Sequence, residues 1–148
     1  MGGYVQSATI SDIVHLAFNC READKQECLA HSGQIPLFAL YGAFVTSKES
    51  YTGFYNKRLV CCYGVLDNGC IWMSATPYIE SVPMTFLRHS KLKLKELFNR
   101  YEIIWNFVDA RNVVHIKWLK WLGFTFINKH NQYGVGRLPF YEFVKIKE

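Results

Sequence analysis

The sequence predicts an α/β (α+β) domain built on a mixed, mostly antiparallel sheet with helices on both faces. Three observations carry that expectation. Helical pieces fill residues 9–44, and strand-like runs separated by turn residues fill residues 51–75. A strand–helix–strand crossover then runs from Cys70 to Val108, and such a crossover calls for a parallel pair inside an otherwise antiparallel sheet. Finally, the 148 residues, half of them apolar and 16% aromatic, supply one core and leave no room for a second of normal size. The expectation is one domain over 1–148.

Tyr4–Ala8 reads as a short first strand. Thr9 or Ser11 can cap the following helix, with Asp12 well placed for its dipole. That helix carries Ile13, Val14, Leu16, Ala17 and Phe18. A second amphipathic piece, Arg21–His31, stops at Ser32-Gly33, and Pro36 opens a third helix running to about Phe44. Tyr51–Tyr55 and Leu59–Val65 form a hairpin around Asn56-Lys57-Arg58, and Asp67-Asn68-Gly69 turns into Cys70–Ala75. Thr76–Thr85, holding Pro77 and Pro83, reads as an irregular loop. Phe86–Tyr101 has the clearest helical stripe, through Leu87, Leu94, Phe98 and Tyr101, with Arg88, Lys91 and Lys95 together on one flank. Ile103–Val108 suits a buried central strand. Asn112 can cap a helix from Val113 to Leu122 that Gly123 closes, and Phe124–Asn128 and Phe140–Ile146 finish as strands around a Gly-rich loop.

Composition narrows the class. The longest apolar stretch, Ile35–Val45, is broken by Pro36 and Gly42 and falls short of the roughly 20 residues a span requires. The N-terminus has no basic region followed by an apolar core, so the chain reads as soluble and without a secretion signal. Five cysteines (Cys20, Cys28, Cys61, Cys62 and Cys70) without regular spacing read as reduced, mostly buried thiols rather than a disulfide framework. Cys28 and His31 lack the further ligands of a tetrahedral metal set, so no metal is expected. The net charge of +5 favours anionic partners weakly. No basic tail or RNA-binding signature accompanies it, which argues against nucleic acid as a specific partner.

Several residues could carry chemistry. His115 falls between Leu119 and Leu122 on a helical projection and faces inward. It reads either as a general acid or base at the sheet's open end or as a hydrogen-bonded core histidine. Asp109 and Arg111 follow a buried strand, where α/β sheets place ligands; the preferred reading is an ion pair holding the turn before Asn112. Arg88, His89, Ser90 and Lys91 make a basic helix start suited to an anion, or a solvated helix end needing none. Trp105, Trp118 and Trp121 read as packing.

The element order and the run Asn112-Val-Val-His-Ile-Lys-Trp-Leu-Lys-Trp-Leu-Gly123-Phe124 resemble the GNAT (Gcn5-related) acyltransferase family, with the family's eleven-residue offset from Asn to Gly. Arg21-Glu22-Ala23-Asp24, Phe86-Leu87-Arg88-His89-Ser90, Val108-Asp109-Ala110-Arg111-Asn112 and Ile116–Phe124 are similar to acetyltransferase-like proteins of tailed bacteriophages, a group that includes the small internal virion protein of short-tailed coliphages. The resemblance implies a CoA site at Arg88, His89, Ser90, Lys91 and Asn112, with His115 and Asp109 as catalytic candidates. Two departures bear on it. Lys91 and Lys93 stand where the family's phosphate turn has small residues, and a lysine stem obstructs the close backbone approach that glycine allows. Leu119 stands where many members carry a Tyr general acid.

The resemblance therefore implies a phage-encoded protein of virion assembly, or an internal, ejection-associated virion component, with acyl transfer lost. Its partners would be other phage virion or assembly proteins, and it would work in the host cytoplasm or the virion interior, with no cofactor. The alternative is an active N-acyltransferase, with acetyl-CoA as its cofactor, modifying an amine on a host protein or small molecule.

Overall fold

The computed structural model describes residues 2–147, and local chemistry accounts for most of its element ends. Strand β1 (Gly3–Ser7) leads into α1 (Ile10–Asn19) through a capping box. Thr9 Oγ1 accepts the Asp12 N–H at 3.2 Å, and Asp12 Oδ2 accepts the Thr9 N–H at 3.0 Å, which satisfies two amides a helix start leaves open. Helix α2 (Glu22–Ser32) ends on Gly33 at φ 72°, whose N–H donates to Leu29 O. Pro36 opens α3 (Pro36–Thr46). Asn56 and Lys57, both at positive φ, make the two-residue turn between β2 (Glu49–Tyr55) and β3 (Arg58–Val65), the backbone twist a tight hairpin needs.

After β4 (Ile71–Ala75), Pro77–Glu80 forms a 3-10 turn inside the segment expected to be irregular. Helix α4 (Met84–Phe98) starts two residues earlier than the apolar stripe suggests, with Pro83 at its N-cap. Strand β5 (Ile103–Asp109), α5 (Val113–Trp121), β6 (Thr125–Tyr133) and β7 (Leu138–Ile146) complete the chain. Strand β6 runs five residues beyond the expected Asn128, paired through two irregularities with β7.

The expected parallel pairing of Cys70–Ala75 with Ile103–Val108 requires a correction. The strands form two sheets, ordered β1-β2-β3-β4 and β5-β7-β6 and antiparallel throughout. They touch through one isolated parallel bridge, Cys70 to Trp105, where the Trp105 N–H donates to Gly69 O at 3.1 Å. Gly69 sits at φ 84°, and a Cβ there would lie 2.1 Å from Ile103 O, so glycine lets the strands meet. Beyond that point Asn106 takes the place of a ladder. Its Nδ2 donates to Ile71 O at 2.6 Å and its Oδ1 accepts the Phe107 N–H at 2.7 Å. Side-chain bonds replace backbone ones, and among the described residues β4 and β5 form no ladder beyond the bridge.

Two cores flank the first sheet. Ile13, Leu16 and Leu40 of α1 and α3 pack with Leu59 and Cys62 on one face. Leu94, Leu97 and Phe98 of α4 and Leu119 and Leu122 near α5 pack with Val60, Ile71 and Val108 on the other. Each fully buried Leu, Ile or Phe contributes about 1.5–3 kcal/mol. The neighbours Cys61 and Cys62 point to opposite cores, as strand alternation requires. Burial pushes both thiols up to about 12, and all five cysteines are free.

Candidate functional site

Between β4 and β5 the two sheets leave backbone groups at the strand ends for something else to satisfy, and residues of α2 and its N-cap satisfy them. The Arg21 N–H donates to Ala75 O at 2.9 Å, while Asp24 Oδ2 accepts the Ala75 N–H at 3.1 Å. On the other strand, Glu27 Oε1 accepts the Asp109 N–H at 3.0 Å. Arg21, Asp24 and Glu27 recur at a three-residue spacing, which puts them on one face of α2. That polar face is turned inward, with Arg21 8% and Asp24 6% exposed.

Asn112 joins the two carboxylates. Its Nδ2 donates to Asp24 Oδ1 at 2.9 Å and to Glu27 Oε1 at 3.2 Å, and its Oδ1 accepts from Arg21 Nη1 at 3.2 Å. Arg21 Nη1 also donates to Asp24 Oδ1 at 3.2 Å. Asn112 was expected to cap α5 with its side chain; it stands at the N-cap position but makes no capping bond, because the buried network engages both ends of its amide. Burial, with the Asp24 charge beside it, raises Glu27 to about 8, against the lowering bonds from Asp109 and Asn112.

The other candidates divide. The Asp109 carboxylate is engaged by Arg111, whose Nη2 lies 2.7 Å from Oδ2 and whose backbone N–H donates to Oδ1 at 2.9 Å. His115 borders two cavities, of about 40 Å³ and about 430 Å³, and Asp24 borders both as well. Neither ring nitrogen of His115 has a hydrogen-bond partner, and both are inaccessible to solvent. Burial lowers its pKa, Asp24 opposes that shift and Arg21 adds to it. A neutral imidazole results at pH 7.

Arg88, His89, Ser90 and Lys91 lie elsewhere, on α4. Because that helix opens at Met84, they sit one turn past its start, where backbone N–H groups already belong to the helical ladder. The sequence places the basic cluster at the open amides; the structure places it beyond them. Ser90 is buried with its hydroxyl unpartnered, and Lys91 Nζ lies 4.4 Å from the centre of the Trp121 ring. Leu119 is fully buried. The sequence reading missed Asp24 and Glu27 as site residues. Their signal was there in the spacing of Arg21, Asp24 and Glu27, charges that a solvated helix would not need to align.

Residues 54–131 match the family described as "Bacteriophage T7, probable scaffold protein Gp13". No curated protein sequence matches the chain. Among solved structures, a GNAT-family acetyltransferase from Bacillus anthracis superposes with a TM-score of 0.67 at 7% identity, over 99% of this chain and 95% of that one. The ribosomal-protein-S18-alanine N-acetyltransferase from Escherichia coli gives 0.65 at 12%, over 99% and 95%. The ribosomal-protein-S5-alanine acetyltransferase from Vibrio fischeri gives 0.64 at 14%, over 100% and 94%. At such identities the likeness is one of fold: this is a GNAT-like chain in architecture, with antiparallel sheets and helices on both faces. At the ends of β4 and β5 the places an acyl-CoA arm could bond to are held by the chain's own side chains. A ligand bonding to the amides of Ala75 or Asp109 would have to displace Asp24 or Glu27 and leave Arg21 or Asn112 short of partners, while the 430 Å³ cavity runs beside Ile71–Ser74 and Trp105–Phe107.

Proposed function

We propose, from the premise that the chain belongs to the family of the bacteriophage T7 probable scaffold protein Gp13, that it acts in virion assembly as an internal or ejection-associated component on a GNAT frame that has lost acyl transfer. The observation that carries the loss of acyl transfer is the occupation of the Ala75 and Asp109 amides, at the ends of β4 and β5, by Asp24 and Glu27. Displacing Asp24, which is ion-paired with Arg21, breaks a bond worth about 1.5–3 kcal/mol, and displacing Glu27, protonated below about pH 8, breaks an ordinary one of about 0.5–1.5 kcal/mol; both weigh against ligand entry. Lysines where a phosphate turn would carry small residues add to it, as does Leu119 where a proton donor would stand. The partners are then other phage virion or assembly proteins, met in the host cytoplasm or inside the particle.

The test is fractionation of a lysate from cells infected with the phage that encodes the chain. The chain should sediment with assembly intermediates or finished particles, and a chain that stays in the low-mass fraction throughout infection contradicts the proposal. A second reading, an active acetyl-CoA-dependent N-acyltransferase acting on an amine of a host protein or small molecule, is favoured by one feature alone. That feature is the neutral, unpartnered His115 at the edge of the 430 Å³ cavity.

A further inference from the structure

At the far end of β5 from that gap, a second groove opens between the C-terminal ends of α4 and α5. Its volume is about 260 Å³, and Lys91, Lys95, Lys145 and Lys147 line it together with Trp121. Ile104 on its floor stands five residues before Asp109, about 17 Å along the strand from the carboxylate network. No acidic side chain lines it, and none of the four ammonium groups has an ion-pair or hydrogen-bond partner among the described residues. Glu102 lends its carbonyl to the Lys147 N–H at 2.8 Å but does not line the groove.

Helix ends account for part of this charge. Phe98 and Asn99 from the end of α4, and Trp121 and Leu122 from the end of α5, border the groove, and a helix C-terminus carries about half a negative charge. Two such ends offset about one of the four ammonium groups. One of the four is fixed by an aromatic ring. Lys91 lies over the Trp121 ring at 4.4 Å. A Cβ on Gly123, at φ 96°, would come within 3.1 Å of Lys145 Nζ, so glycine leaves that ammonium room against the end of α5. The charge is also lopsided along the chain. Residues 10–46 hold Asp12, Glu22, Asp24 and Glu27 against Arg21 and Lys25, a net of −2, which leaves +7 for the rest of a +5 chain.

We infer that this groove binds the phosphodiester backbone of a single-stranded nucleic acid without reading its sequence. Ammonium groups are compact charges with three rotatable donors, suited to phosphate oxygens presented at varying angles. A single strand offers such a lysine-lined concavity a run of phosphates, each carrying a full negative charge. No arginine lines the groove to grip a guanine edge in bidentate fashion, and Lys91 already covers one face of Trp121. Contacts of this class are electrostatic and fall with salt. The site is separate from the β4–β5 gap, so its test and any acyl-CoA test fail independently.

Fluorescence anisotropy of the whole chain with a labelled single-stranded DNA 12-mer, titrated with salt, tests this. Replacing the four lysines, K91Q/K95Q/K145Q/K147Q, should weaken binding at least tenfold at low salt. It should also flatten the slope of log affinity against log salt by about 3, at about 0.7 per lost phosphate contact. K25Q/K57Q, on other surfaces, should bind like the parent, and circular dichroism should report an unchanged fold for both variants. A quadruple variant that binds as the parent does overturns the inference. So does poly-glutamate that displaces the DNA as well, charge for charge, as a second single strand does.

Discussion

The carboxylate of Asp24 accepts the backbone N–H of Ala75 at 3.1 Å, joining α2 to the end of β4 across 51 positions of chain. An edge amide that could have met a neighbouring strand is met by a buried side chain instead. The same carboxylate takes Asn112 and Arg21, so α2, the end of β4 and the start of α5 converge on one group. Asp24→Ala therefore leaves Arg21 and the Ala75 amide short of partners and should cost roughly 2–4 kcal/mol of stability. Urea unfolding checks this, and a change below about 0.5 kcal/mol would mean that the network relaxes around the loss.

Glu27 makes the fold lose stability as the pH rises. Its folded pKa is raised to about 8 from an ordinary 4.5, so the folded state holds a proton the unfolded state releases. The contribution is complete below about pH 4.5 and is lost as the pH rises through about 8, by an amount on the order of a few kcal/mol. Glu27→Gln keeps an oxygen to accept from Asp109 and Asn112 but cannot ionise. Melting temperatures measured from pH 5 to 9 should fall for the parent and stay nearly level for the variant.

His115 works in the opposite direction. Burial lowers its pKa, so the unfolded chain takes up a proton first and stability is lost as the pH falls below about 6.5. Since neither ring nitrogen has a partner, His115→Leu removes no hydrogen bond. It should shift stability at pH 7.5 by less than about 1.5 kcal/mol and abolish this part of the acid sensitivity. A large loss at pH 7.5 would mean the ring is bonded in solution.

Lys57 sits at φ 63° in the β2–β3 turn, a left-handed position costly to a residue with a Cβ. Lys57→Gly, which makes the turn Asn-Gly, should raise stability by about 0.5–1 kcal/mol. Thermal unfolding of the variant reads this directly.

How far the sequence led depends on the distance over which each signal acts. The cap at Thr9 and the stop at Gly33 are decided within a few residues and fall where local chemistry puts them, and the turn expected over Asn56-Lys57-Arg58 tightens to Asn56-Lys57, with Arg58 opening β3. The opening of α4 at Met84 is a local matter too, obscured because the apolar stripe starts only at Phe86. The separation of β4 from β5 depends on the Asn106 side chain reaching Ile71, 35 positions away, and strand periodicity does not register such a bond. Asp24 and Glu27 show the same limit. Their spacing marks a shared face, but their partners Ala75 and Asp109 lie 51 and 82 positions distant. His115 was legible as inward-facing, while the absence of partners for its nitrogens belongs to the packed structure alone.

The self-occupied gap between β4 and β5 is tested most directly by titrating the purified chain with acetyl-CoA by calorimetry in physiological salt. With Asp24 and Glu27 bonded to Ala75 and Asp109, no saturable heat is expected at micromolar ligand. A micromolar dissociation constant would contradict the account and return the chain to the working acyltransferases.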